Sequence, residues 1–194
     1  MIAVRLETPE KIRDLQRKLY LKAKREPKFR FYLLADKVWR EDILGHAYRL
    51  VRANGGAPGI DGESFRSIET AEGEAKFLST LQQELKEKSY RAQPVRRVYI
   101  PKADGRKRPL GIPTIRDRVA QMAVKLVIEP IFEADFEDCS FGFRPKKDAH
   151  QAVQAVRQAL YNAHPRIALP NVAPVLYSTQ FPCTHRFSYL SPKY

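Results

Sequence analysis

Apolar residues recur at three- and four-residue intervals along most of this chain and alternate in one place only. Thr8-Pro9-Glu10 reads as a helix start, with a capping hydroxyl, proline at the first position and acid in the first turn. Ile12, Leu15 and Leu19 follow on one face, and Pro27 ends the helix. Asp36 is placed to cap a second helix running through Val38, Ile43, Leu44, Ala47, Leu50 and Val51. The segment NGGAPGIDG, Asn54 to Gly62, packs four glycines and a proline into nine positions and predicts a fixed turn. A third helix is expected over Glu74–Lys88, burying Phe77, Leu78, Leu81 and Leu85. Pro94 opens an extended run, Val95 to Ile100. The turn Ala103-Asp104-Gly105 then returns it as Arg108 to Ile112, the pattern of a β-hairpin. Thr114 and Asp117 resemble a capping pair for a helix through Val119, Met122, Ala123, Leu126 and Val127, expected to stop at Glu129 before Pro130. An irregular SFGFRP, Ser140 to Pro145, precedes a last helix from about 147 to 160. The pattern predicts an α+β fold, helices around a short antiparallel hairpin.

Charge changes the picture. The chain carries 35 Lys and Arg against 22 Asp and Glu, a net of +13. The excess lies in two blocks: residues 1–40, and residues 91–118 with nine basic and two acidic side chains. So basic a protein meets a polyanion, nucleic acid first. Lys11, Lys18, Lys22 and Arg25 fall on the outer face of the first helix, able to lie along phosphates. Arg96, Arg97, Lys102, Arg106, Lys107 and Arg108 decorate the ribbon. Alternation puts Arg96, Val98 and Ile100 on one face, with Arg97 and Tyr99 on the other. Cations on a stiff ribbon suit a triphosphate or a nucleic-acid backbone. The plainer alternatives are a solvated surface and a hairpin whose charges block edge aggregation.

Other classes fall away. No run of 18 apolar residues exists, so no transmembrane helix or membrane partner is expected. The N-terminus has no apolar core of a secretory signal, and a cytoplasmic location is expected. Cys139 and Cys183 form neither a CxxC pair nor a zinc set, and reduced thiols are expected. His46, His150, His164 and His185 are scattered. Residues 161–194 contain no Asp or Glu and five prolines in 34 positions. They read as a foreign, disordered tail.

Three motifs occur in order: GAPGIDG, then RRVYIPKADGRKRPLGIPTIRDRVAQ, then SFGFRPKKDAHQAV. Together they resemble the fingers and palm entrance of group II intron reverse transcriptases, also called intron maturases, over roughly residues 36–160. The resemblance implies a helical fingers subdomain with an antiparallel hairpin and an incomplete reverse-transcriptase palm, behind a basic helical extension over 1–35. It implies that the hairpin closes over an incoming nucleotide, with Arg96, Lys102 and Arg108 on its triphosphate. Gly111 to Thr114, including Pro113, would touch the template, and Arg116 and Gln121 approach it. Arg97, Arg106 and Lys107, with Lys18, Lys22 and Arg25, would face nucleic acid. Gly142, Phe143, Arg144 and Pro145 would support the nucleotide pocket. Phe143 has core packing as its alternative, and Gly142 a turn needing positive φ. Residues 54–62 would hold template and primer ends.

The resemblance also implies an RNA-templated DNA polymerase whose two Mg²⁺ ions sit on carboxylates. In this chain no two Asp are adjacent, and no acid follows Asp148. Asp135, Glu137 and Asp138 cluster, but where the family has a linker. The expectation is therefore a truncated, catalytically inactive intron reverse transcriptase that holds no cofactor, with RNA as partner and dNTP as ligand of the intact enzyme only. The alternatives are a non-catalytic RNA-binding module and an unfolded relic.

Overall fold

The computed structural model describes residues 6–71 and 73–161. The tail beyond Tyr161 lies outside the described residues. The chain divides into a first unit ending at Asp135 and a second beginning at Phe136.

The first unit holds α1 (Glu10–Arg25), α2 (Ala35–Val38), α3 (Glu41–Asn54), α4 (Phe65–Ala71), α5 (Gly73–Glu87), β1 (Arg96–Pro101), β2 (Lys107–Ile112) and α6 (Ile115–Asp135). The second holds α7 (Ala149–Tyr161). Helices and one two-stranded antiparallel sheet make the fold α+β, as expected. No helix among the described residues is long and apolar enough to cross a membrane.

The core of the first unit forms where α6 meets α1 and α3. Ile12, Ile43, Leu44, Ala47, Tyr48, Val119, Ala123 and Val127 are all fully or almost fully buried there. Burying each large side chain contributes about 2 kcal/mol. Tyr48 packs edge-on against Phe65, and its ring lies 5.8 Å from that of Phe77, which ties α4 and α5 to α3. Burial also pushes the His46 imidazole below its usual range, so it sits neutral in this core.

Four local expectations are corrected. Thr8 does not cap α1: Pro9 stands at the N-cap, and its carbonyl accepts from the Ile12 and Arg13 amides at 3.0 Å. The helix expected from Asp36 breaks at Trp39–Arg40. Arg40 is extended, its guanidinium forks onto Asp42 at 2.9 and 2.6 Å, and α3 starts afresh. That ion pair holds the Asp42 carboxyl below its usual range. A helix that the periodicity does not predict, α4, is capped by Ser64, whose Oγ accepts from the Ser67 amide at 3.1 Å. Finally, α6 does not stop at Pro130 but runs on to Asp135.

The last correction has a traceable cause. A proline inside a helix leaves the carbonyl four residues earlier without its N–H donor. Here that carbonyl belongs to Leu126, and Gln16 Nε2 of α1 donates to it at 3.0 Å. In the last turn of the helix, Lys24 Nζ donates to the Ala134 carbonyl at 3.3 Å. The two contacts advance together along both helices, so α1 and α6 run parallel.

In the second unit, Asp148 caps α7: its Oδ1 accepts from the Gln151 amide at 2.8 Å. Cys183 lies outside the described residues.

Gln16→Leu is expected to lower stability by about 1–2 kcal/mol, the cost of stranding the Leu126 carbonyl. In a Pro130→Ala background, where the helix supplies its own donor, the same change is expected to cost far less. Denaturant unfolding of the four proteins of this cycle checks the coupling.

Candidate nucleic-acid interface

The site is built around the first turn of α6. Thr114 and Asp117 form the capping pair that the sequence indicates. The Thr114 hydroxyl donates to Asp117 Oδ2 at 2.8 Å, and the Asp117 amide donates back to Thr114 Oγ1 at 3.1 Å. The carboxylate does more than cap. It also accepts the Tyr90 hydroxyl on Oδ1 and the Gln93 amide on Oδ2 at 3.2 Å. Tyr90 and Gln93 lead into β1, and Thr114 follows β2. One carboxylate, only 2% exposed, therefore ties both legs of the hairpin to one helix end. Burial, reinforced by the hydrogen bond to Asp117, pushes the Tyr90 phenol well above its usual range.

The next residue in the motif does the same for the glycine loop. Arg118 Nε donates to the Pro113 carbonyl at 3.0 Å, Nη1 to Gly55 at 3.4 Å, and Nη2 to Ala57. Gly55 and Gly56 adopt positive φ, 62° and 111°, in the turn whose Gly55 and Ala57 carbonyls accept from Arg118. Gly59 lies against the Thr114 backbone: a Cβ there would stand 2.7 Å from Thr114 Cα. Sequence reasoning placed the loop but missed Arg118. The signal was its position four residues after Thr114, over the segment it clasps.

The ribbon pairs Arg96 with Ile112, Val98 with Leu110, Ile100 with Arg108, and Pro101 with Lys107. One face thus carries Arg96 and Arg108 around Val98, Ile100, Leu110 and Ile112. The other carries Arg97, Tyr99 and Lys107. At Gly111 a Cβ would meet Val95 at 2.9 Å, so glycine there lets Val95 lie across the ribbon. Arg97, Lys102, Lys107 and Arg108 are exposed. Arg96 is half-buried, and its Nε has no hydrogen-bond partner among the described residues. Arg106 forks onto Asp104 at 2.9 and 2.7 Å, holding that carboxyl below its usual range and shaping the turn.

The three residues assigned to a triphosphate are strung out. Arg108 stands opposite Ile100, four residues along β1 from Arg96, or about 13 Å. Lys102 lies beyond, in the turn. Arg116 is ion-paired with Glu84 and sits 5.8 Å from the Tyr90 ring. Pro113 is half-buried, its carbonyl engaged by Arg118. Gln121 is exposed and lines a groove of about 280 Å³ with Asn54, Arg118 and Lys125 over Val51 and Met122. On α1, Lys18 and Arg25 are exposed, while Lys22 pairs with Glu26 at 2.6 Å and covers the Phe29 ring.

The second unit displays its motif on a stapled loop. Arg144 Nη1 donates to the carbonyls of Glu137 at 2.6 Å and Ser140 at 2.9 Å, and the guanidinium stacks on Phe136. Lys147 donates to the Asp138 carbonyl. Two alternative readings of this loop fall away. Gly142 is not the residue with positive φ; Phe143, at 57°, and Lys146, at 61°, are. Phe143 also packs into no core, since its side chain is fully exposed. Arg144 supplies the reason, because its grip on two carbonyls fixes the path of the turn.

Among the described residues no three His, Cys, Asp or Glu side chains gather to hold a metal ion. A two-magnesium seat therefore does not fit this set, and no catalytic step is derived through it.

No family model matches the chain. It is, however, 39% identical over 151 residues to protein YkfC of Escherichia coli K12, covering 77% of this chain and 39% of that protein. It is 41% identical over 123 residues to the group II intron-encoded protein LtrA of Lactococcus lactis, covering 61% of this chain and 20% of LtrA. Nuclear intron maturase 1 of Arabidopsis thaliana is 38% identical over 45 residues, 23% of this chain and 6% of that protein. The chain is thus related to the group II intron reverse transcriptases and maturases. It spans between a fifth and two fifths of the length of the first two relatives.

Gly59→Ala is expected to cost about 1–3 kcal/mol, because the new methyl meets backbone that cannot swing away; thermal unfolding reads it. Tyr90 yields a pH signature. Its pKa is higher folded than unfolded, so its contribution is complete below the unfolded value of about 10 and is lost as pH rises above it. Above pH 10 the wild type is expected to lose stability more steeply than Tyr90→Phe. Parallel curves would contradict the Tyr90–Asp117 bond.

Proposed function

We propose that this chain grips RNA without performing chemistry on it, as the fingers portion of a group II intron reverse transcriptase or maturase. The observation that carries this reading is the ribbon. It presents Arg97 and Lys107 on one face and Arg96 and Arg108 on the other, with both legs fastened to α6. Rigid cations lose little entropy on meeting phosphates, and exposed Tyr99 offers a ring to an unpaired base. The exposed cations of α1 extend the basic surface. Kinship with intron-encoded proteins favours intron RNA, or an RNA template, over other polyanions.

The polymerase chemistry of the family requires a carboxylate pair for Mg²⁺, and this sequence has no adjacent aspartates and no acid after Asp148. Nucleotide binding by Arg96, Lys102, Arg108, Phe143 and Arg144 belongs, on this reading, to an assembly in which a complete palm is present. The second unit would then be the entrance to that palm.

Fluorescence anisotropy with a structured RNA tests the binding. If about six phosphates are neutralised, affinity is expected to fall about 10³-fold between 50 and 200 mM salt. A flat salt response, or no binding at 50 mM, would overturn the reading. In a primer-extension assay on an RNA template, the purified chain is expected to make no product; synthesis would remove the non-catalytic part of it.

A further inference from the structure

We infer that Asp117 and Arg118 are positioning residues for RNA binding, holding the basic ribbon and the glycine loop in one fixed relation. The inference rests on the RNA-binding reading above and names the residues on which its geometry depends. Two independent sets of contacts carry it. Asp117 receives Tyr90 and Gln93 from the strand entering the ribbon and Thr114 from the strand leaving it. Arg118 donates to the carbonyls of Gly55 and Ala57 in the loop and of Pro113 at the ribbon's exit. Gly59 closes the arrangement by lying directly on Thr114. Among the described residues the ribbon's strands pair only with each other, so its direction is set at these anchors.

The three donors on the Asp117 carboxylate are neutral. This gives the inference a test of sign. Removing a negative charge from a polyanion-binding surface should by itself strengthen binding. Asp117→Asn removes that charge, turns three charge-assisted bonds into neutral ones, and sets its amide N–H₂ against the Tyr90 hydroxyl, which must then turn from donor to acceptor. A positioning role therefore predicts weaker binding, where electrostatics alone predicts stronger.

The experiment compares the RNA affinity of full-length wild type, Asp117→Asn, Tyr90→Phe and Asp14→Asn. Asp14 lies exposed on α1 and serves as the control for charge removal. Asp117→Asn is expected to bind roughly tenfold more weakly, the equivalent of one charge-assisted contact. Its salt slope should fall by about two as ribbon phosphates are lost. Tyr90→Phe, which keeps every charge and removes one hydrogen bond, should weaken binding by a smaller factor in the same direction, and it keeps the test decisive if Asp117→Asn fails to fold. Asp14→Asn should bind at least as tightly as wild type. Unchanged or tighter binding by Asp117→Asn, or by Tyr90→Phe where it stands in, overturns the inference. If the wild type binds no RNA, the functional reading fails separately, and hydrogen exchange of the free proteins decides this one. Faster exchange across residues 96–112 in the variant, with α3 and α5 unchanged, supports it, and equal exchange overturns it.

Discussion

A single buried carboxylate sets the geometry of the basic ribbon and of the loop beside it. A two-stranded ribbon has no stability of its own in water. Here, among the described residues, its strands pair only with each other, and side chains at the ribbon's exposed end lie largely in solvent. What gives it a direction is the hydrogen bonding of Asp117 to groups before β1 and after β2. Burying that charge is costly unless its oxygens are satisfied, and they are, by a phenol, a hydroxyl and an amide. The same demand that makes Asp117 expensive to bury makes its partners hard to displace.

The surrounding structure follows the same logic of supplying donors to backbone that would otherwise lack them. Arg118 satisfies carbonyls of the glycine loop. Gln16 satisfies the carbonyl that Pro130 abandons. Arg144 satisfies two carbonyls of the loop that displays Phe143. Long polar side chains thus stabilise irregular backbone in a protein whose sheet is too small to do so. Other cations that make the chain basic are held in ion pairs with carboxylates: Arg106 with Asp104, Arg116 with Glu84, Lys22 with Glu26. The charge left for a ligand is concentrated on Arg97, Lys102, Lys107 and Arg108 of the ribbon and on the outer face of α1.

Much of this was legible in the sequence because it is local. The hairpin's alternation and its Asp-Gly turn gave both strands and the division of side chains between faces. Helical spacing found α1, α3, α5 and α7, and Thr114-x-x-Asp117 marked the start of α6. The parts that were not legible depend on contacts distant in sequence or on segments too short to repeat. Nothing near Pro130 reveals that a glutamine from α1 will rescue the helix across it. Among the described side chains of α4 only Ile68 is deeply buried, so a helix this short gave no period. The break at Trp39–Arg40 needed the Arg40–Asp42 fork to be seen. Arg118 looked like one more cation in a basic stretch, although its donors are turned inward. The positive φ of Phe143 ran against the reasonable rule that the adjacent glycine would take it. The separation of Arg96, Lys102 and Arg108 along the ribbon, by contrast, was implicit in the strand geometry.

The central claim is that the ribbon is the surface that meets RNA. Photo-crosslinking of the protein to a structured RNA, followed by mass-spectrometric mapping of the attached residues, addresses it directly. Crosslinks concentrated between Arg96 and Ile112, with Tyr99 among them, are the predicted result. A map in which those residues are untouched while crosslinks fall elsewhere on the chain would contradict the account.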